Sequence, residues 1–214
     1  STGIKNEGVI KLLRGEKGSI VNINIKRRGQ LEIIPFAIKR DDIPLYSVDV
    51  GIILQNDIGY IKINRFAATT YDEMMEKVNS LQESGMQKLI LDLRGNPGGY
   101  LHIANQMCDE FLKDGELIVF TEGRNRPKEE TFATRNGQLE NIKVIVLIDE
   151  GSASASEIVS GALQDNDRGK IIGRRSFGKG LVQEQIPLQD GSVIRLTTQR
   201  YYTPSGRCIQ KDYE

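Results

Sequence analysis

Apolar and polar positions change rhythm along the chain, and each change marks an element. EGVIKLLRG (7–15) reads as a short helix, and SIVNINIKRRG (19–29) alternates with the period of a strand. LEIIPFAIKR (31–40) and GYIKINRF (59–66) are further strand candidates. Thr70-x-x-Glu73 predicts a capping box opening a helix that runs to about Ser84, with Gly85 as its stop. The apolar strand KLILDLR (88–94) passes through the turn GNPGG into the helical YLHIANQMCDEFLK (100–113), and ELIVFTEG (116–123) is expected to close a β-α-β unit. Residues 122–141 are polar and irregular, as in an exposed loop or mobile hairpin. NIKVIVLIDE (141–150) is the most apolar strand and predicts a buried parallel sheet. It leads through GSASASE to the helix EIVSGALQDN (157–166) and the strand KIIG (170–173). Two last strands, LVQEQIPL and SVIRLTTQRYYT, are joined by the hairpin-like QDGS. The pattern is α/β.

Composition narrows the function classes. The 214 residues suffice for one buried core with a smaller appendage. Lys plus Arg and Asp plus Glu both number 29, so no net field argues for nucleic acid or an anionic membrane. No stretch approaches the roughly 18 to 20 apolar residues of a membrane span. The polar start, STGIKNEG, carries no signal peptide, and with the charged stop KDYE it suggests a piece of something longer. Of the two cysteines, Cys108 falls on the apolar spacing of its helix and reads as packing, while Cys208 follows a turn. No ligand cluster suggests a metal, and no cofactor is expected.

Three glycine- or serine-rich junctions directly follow strands, where sites in α/β proteins gather: RGNPGG (94–99), EGSASASE (150–157) and GRRSFGKG (173–180). The third imitates a phosphate-binding loop. Yet Gly180 stands where Ser or Thr would hold magnesium, and a strand follows instead of a helix. Ser154 sits between a buried strand and a helix, so its hydroxyl can stand at the helix N-terminus beside the Ala155 amide. Ser154-x-x-Glu157 is also a capping box, which needs no chemistry to explain it. A nucleophilic serine needs a base. The single histidine, His102, lies on the first turn of another helix and reads as incidental. Lysine is the alternative, but its ordinary pKa of ~10.4 leaves it charged unless burial lowers that value. The apolar flanks of Lys179 make such burial plausible.

SASASEIVSGALQD followed by SFGKGLVQ resembles the active-site signature of the carboxyl-terminal processing peptidases, the tail-specific proteases. The resemblance runs through LDLRGNPGG and DGSVIRLTTQRYYTPSGRCIQ and covers roughly residues 85–210. It implies Ser154 as nucleophile and Lys179, 25 residues later, as general base, with Gln183 orienting the lysine. On a strand, 179, 181 and 183 would share a face. It also implies Gly99 and Ala155 as oxyanion donors and Asp165 as a supporting acid. The implied fold is a crotonase-like α/β core over residues 30–214, truncated at its C-terminal end. Residues 1–29 resemble the tail of a PDZ domain, most of which is missing, including the loop that captures a substrate's terminal carboxylate. The implied function is a serine endopeptidase acting on exposed or unstructured C-terminal tails through an acyl-enzyme. An extracytoplasmic place in a bacterium follows from the resemblance alone, and homo-oligomerisation stays open. The alternatives are a peptide-binding module that no longer cleaves, and an acyl-thioester enzyme on the same fold.

Overall fold

A computed structural model describes residues 3–42, 45–55 and 57–212. The chain divides into two compact units, Ser1–Leu45 and Tyr46–Glu214. The first holds helix α1 (Asn6–Leu13) and strands β1 (Ile20–Ile25) and β2 (Ile34–Lys39), which pair antiparallel from Ile20↔Lys39 to Ile25↔Ile34. The Arg40 guanidinium donates to the Leu13 carbonyl (2.7 Å) and to Ser19 Oγ (2.9 Å), tying the helix end to the hairpin. This compact unit includes β2 and runs to Leu45. The reason is pairing: β2 satisfies its backbone against β1, not against the strands that follow.

The second unit carries two sheets. In chain order its elements are β3 (Val48–Ile53), β4 (Ile58–Ile63), α2 (Thr70–Glu83), β5 (Lys88–Asp92), α3 (Leu101–Phe111), β6 (Leu117–Gly123) and β7 (Arg126–Phe132). They continue with β8 (Lys143–Ile148), α4 (Ala155–Asp165), β9 (Gly169–Gly173), β10 (Leu181–Pro187) and β11 (Val193–Tyr202). The five-stranded sheet has the order β3-β4-β5-β8-β9, parallel except for the antiparallel edge strand β3. The four-stranded sheet, β10-β11-β6-β7, is antiparallel throughout.

The expected β-α-β closure through ELIVFTEG does not occur. β6 pairs with β11 and β7 in the second sheet, and the parallel neighbours of β5 are β4 and β8. An apolar run satisfies either pairing, and Ile118, Val119 and Phe120 are buried in this one. Of the two forms expected for the polar stretch after it, the hairpin is the one adopted, with β7 pairing back along β6. The expected capping box does not form. Thr69, not Thr70, is the N-cap of α2 and makes no side-chain cap bond, and Thr69 Oγ1 donates instead to the Glu73 side chain (2.6 Å). Glu73 further accepts the amides of Ser47 (2.7 Å) and Val48 (3.0 Å), anchoring the entry to β3.

Burial explains why the parallel strands read as continuous apolar runs. Ile61, Leu91 and Val146, on β4, β5 and β8, are fully buried in one cluster with Met74 and Val78 of α2, Met107 and Phe111 of α3, and Val159 and Leu163 of α4. This core fixes where each strand ends. The carboxyl ends of β5, β8 and β9 therefore release the three glycine- and serine-rich junctions side by side.

Candidate active site

The junction after β8 makes a tight turn before α4. Ser154 has φ 56° and ψ −113°, a conformation uncommon for a residue with a side chain. Such strain at a strand-to-helix turn lifts a side chain clear of the backbone. Neighbouring junctions hold the turn. Ser152 Oγ donates to the Leu93 carbonyl (2.8 Å), and the Asn96 carbonyl accepts the Ala153 amide (2.9 Å) and Ser156 Oγ (3.0 Å). Asn96 is itself buried, with Nδ2 on the Ile63 carbonyl (3.0 Å) and Oδ1 on the Gly98 amide (2.9 Å). Asp149 accepts the amides of Gly95 (2.8 Å) and Gly151 (2.9 Å), and its carboxyl lies below the usual range. Partial burial opposes that shift, and the two amides overcome it.

The glycine turn after β5 is pressed against the serine. Gly98 has φ +93°, and a Cβ there would sit 2.6 Å from the Ala153 carbonyl and 2.8 Å from Ser154 Cβ. Gly99, at φ +153°, leaves no room for a side chain beside the Phe66 carbonyl. The amides of Gly99 and Ala155 find no acceptor among the described residues, in contrast to their neighbours. Two unspent donors flanking the Ser154 turn are what an oxyanion requires.

The lysine junction meets the serine junction through one carboxylate. Glu157, 5% exposed at the first turn of α4, forms the capping box with Ser154. Its Oε2 accepts the Ser154 amide (2.8 Å) and also the Lys179 amide (2.9 Å), while Oε1 accepts the Gly178 amide (2.7 Å). The Phe177 amide adds a bond to the Ser152 carbonyl (3.0 Å). The backbone nitrogens of Ser154 and Lys179 thus lie within two hydrogen-bond lengths of each other. On its other side the junction is held by the chain near 210: Gly180 donates to Gln210 Oε1 (3.0 Å), and Lys211 donates to the Gly178 carbonyl (3.0 Å).

The remaining expected residues fall in different places. The burial expected for Lys179 is not observed: its residue is exposed, because the apolar KIIG lies in β9 and the turn carries 179 out of the core. Gln183 is exposed as well, and no hydrogen bond joins it to Lys179. Lys179 precedes β10, and pairing with β11 slips between Val182 and Gln183, so the shared strand face is not regular. Asp165 stands at the far end of α4. It accepts the Ser205 amide (3.0 Å) and Ser205 Oγ (2.6 Å), and it pairs with the Arg207 guanidinium. Partial burial would raise its pKa, but hydrogen bonds from Ser205, Thr203 and Arg207 hold it below the usual value. It closes the Thr203–Arg207 turn onto the helix. His102 is exposed on α3 beside the Tyr100 ring, and both cysteines are free thiols, Cys108 buried and Cys208 exposed.

Comparison with known proteins decides the family. The profile of Peptidase family S41 matches residues 57–213. The chain belongs to peptidase family S41. Among S41 relatives, the Carboxy-terminal-processing protease of Bartonella bacilliformis is 42% identical over 210 residues, 96% of this chain and 48% of that protein. Carboxy-terminal processing protease CtpB of Bacillus subtilis is 37% identical over 208 residues, covering 96% of this chain and 43% of that protein. The chain therefore spans about half the length of these S41 relatives. The solved structure of the photosystem II D1 C-terminal processing protease superposes with a TM-score of 0.72 at 28% identity, over 97% of this chain and 57% of that one. As in other S41 proteins, the fold is mixed α/β.

Proposed function

We propose that this chain carries the catalytic centre of a serine endopeptidase in which Ser154 is the nucleophile and Lys179 the general base. The observation that supports this most is the meeting of the two junctions on Glu157, whose Oε2 accepts the amides of both Ser154 and Lys179. Neutral Lys179 takes the Ser154 proton, Ser154 attacks a peptide carbonyl, and the Gly99 and Ala155 amides receive the oxyanion. The protonated lysine then passes its proton to the leaving amine, and water releases the acyl-enzyme. A lysine accepts a proton only in its neutral form. A polypeptide lying across the two junctions supplies desolvation, and Gln183 reaches the lysine once the site is covered. The substrates are exposed, unstructured protein tails, in keeping with the processing role in the relatives' names. Residues 1–29 are read as the C-terminal remnant of a PDZ domain, and the setting as extracytoplasmic.

Exposure of Lys179 and Gln183, with no bond between them, favours a second reading: a module that binds peptides without cutting them. One experiment separates the two. An unfolded protein is digested with the chain and with its Ser154→Ala and Lys179→Ala forms, and the products are weighed by mass spectrometry. Cleavage by the parent that disappears in both variants, by at least about 10³-fold, supports the dyad. Binding of an unfolded peptide with no cleavage by any form overturns it. A base that must be neutral also gives a rate that falls as pH drops, so a rate flat from mildly acidic to alkaline pH removes the lysine from its role.

A further inference from the structure

The Ser154/Lys179 scheme gives no task to Glu157, the buried carboxylate closest to it. A helix cap explains only part of what Glu157 does. The cap needs the Ser154 amide, which Oε2 accepts at 2.8 Å. It does not need Gly178 and Lys179, which come from a junction 21 and 22 residues further along and donate at 2.7 and 2.9 Å. Among the described residues, no cation forms a salt bridge with this carboxylate, although it is 5% exposed. Three backbone amides and the start of α4 neutralise it instead. A buried charge satisfied only by backbone donors from two separate junctions has a geometric consequence. It sets the spacing of those junctions, because moving either one strands the charge.

We propose that Glu157 is a positioning residue that fixes the Lys179 backbone against the strained Ser154 turn. The inference rests on the Ser-Lys reading and adds to it. Neither oxygen touches substrate, and no proton leaves Glu157. Its work is to hold the lysine's peptide plane within reach of the nucleophile before substrate arrives, so that closing the site moves only the lysine side chain. Gly178, at φ +89° with its pro-side-chain direction blocked by Lys211 Cβ at 2.5 Å, keeps the junction from sliding past the carboxylate.

The side chain chosen to replace Glu157 discriminates this from a folding role. Glu157→Gln keeps the volume and one acceptor oxygen for Ser154 and Lys179, but turns an amide donor toward the Gly178 N–H. Glu157→Ala removes all three acceptors. Acylation of Ser154 is followed by release of p-nitrophenol from an activated ester, normalised to folded protein by circular dichroism. The expected loss is about 10-fold for Gln and about 100-fold for Ala in kcat, with KM changed less than about 3-fold. The decisive comparison adds Glu157→Gln to the Lys179→Ala background. If Glu157 acts by placing Lys179, the double variant is no slower than Lys179→Ala alone. Losses that multiply in the double variant, or a kcat unchanged in folded Glu157→Gln, overturn the proposal. Ester release that survives Ser154→Ala instead overturns the Ser-Lys reading, which keeps the two failures apart.

Discussion

Gly98 occupies a backbone conformation and a space that no other residue fits. At φ +93°, an added methyl would meet the Ala153 carbonyl at 2.6 Å and the Ala155 nitrogen at 2.9 Å. Both obstacles are backbone of the Ser154 turn, so relief displaces Ser154 and the Ala155 amide. Gly98→Ala is expected to lower the rate of Ser154 acylation by about 100-fold or more while the circular dichroism spectrum is retained. A variant with parental acylation would show that the two turns move independently. At this scale the sequence exposes identity better than environment. Ser154 and Lys179 stand out because a motif with fixed spacing carries them. The exposure of Lys179 does not, since apolar neighbours in the chain can turn away in space. Nor does the second half of Glu157's work, because a capping box looks the same whether or not a distant junction shares its carboxylate.

Among the elements, the parallel strands of the first sheet were legible from their unbroken apolar runs, which only burial on both faces permits. Leu91 of β5 is fully buried in that layer. Leu91→Ala is expected to cost about 2–5 kcal/mol, read as a lower urea midpoint at unchanged slope. Pairing partners were not legible. ELIVFTEG has the same composition as a parallel strand, and only the long return of β11 shows that it belongs to the second sheet. β3 escaped notice because its burial is patchy: it is an edge strand, with Ile52 and Ile53 exposed. The pairing of β2 with β1 was hidden for a related reason, since a hairpin's second strand carries no mark of which neighbour it will join.

For the molecule as a whole, acid is the expected weakness. Asp92 is 1% exposed and takes the Tyr60 hydroxyl (2.6 Å) and the Arg94 guanidinium (2.6 Å). Burial works against its charge, but Arg94, Tyr60 and Lys62 hold its carboxyl well below the ordinary carboxylate range. Asp165, Asp149 and Glu73 shift the same way. A carboxylate with a depressed folded pKa contributes stability that is complete above its unfolded value of about 4 and is lost as pH falls toward the folded value. The urea midpoint is therefore expected to drop between pH 7 and pH 3. Asp92→Asn lowers the midpoint at pH 7 and shrinks the drop, whereas an equal drop in both proteins would place the acid sensitivity elsewhere. The convergence of two junctions on main-chain donors has a further consequence for how such a sequence can diverge. Amides are common to nearly every residue, so a change of side chain at 179 leaves its anchoring bond in place, while loss of the carboxylate one helical turn inside does not. Nearness to the Ser154 hydroxyl is then a poor ruler for tolerance: the positions hardest to exchange are those that others lean on.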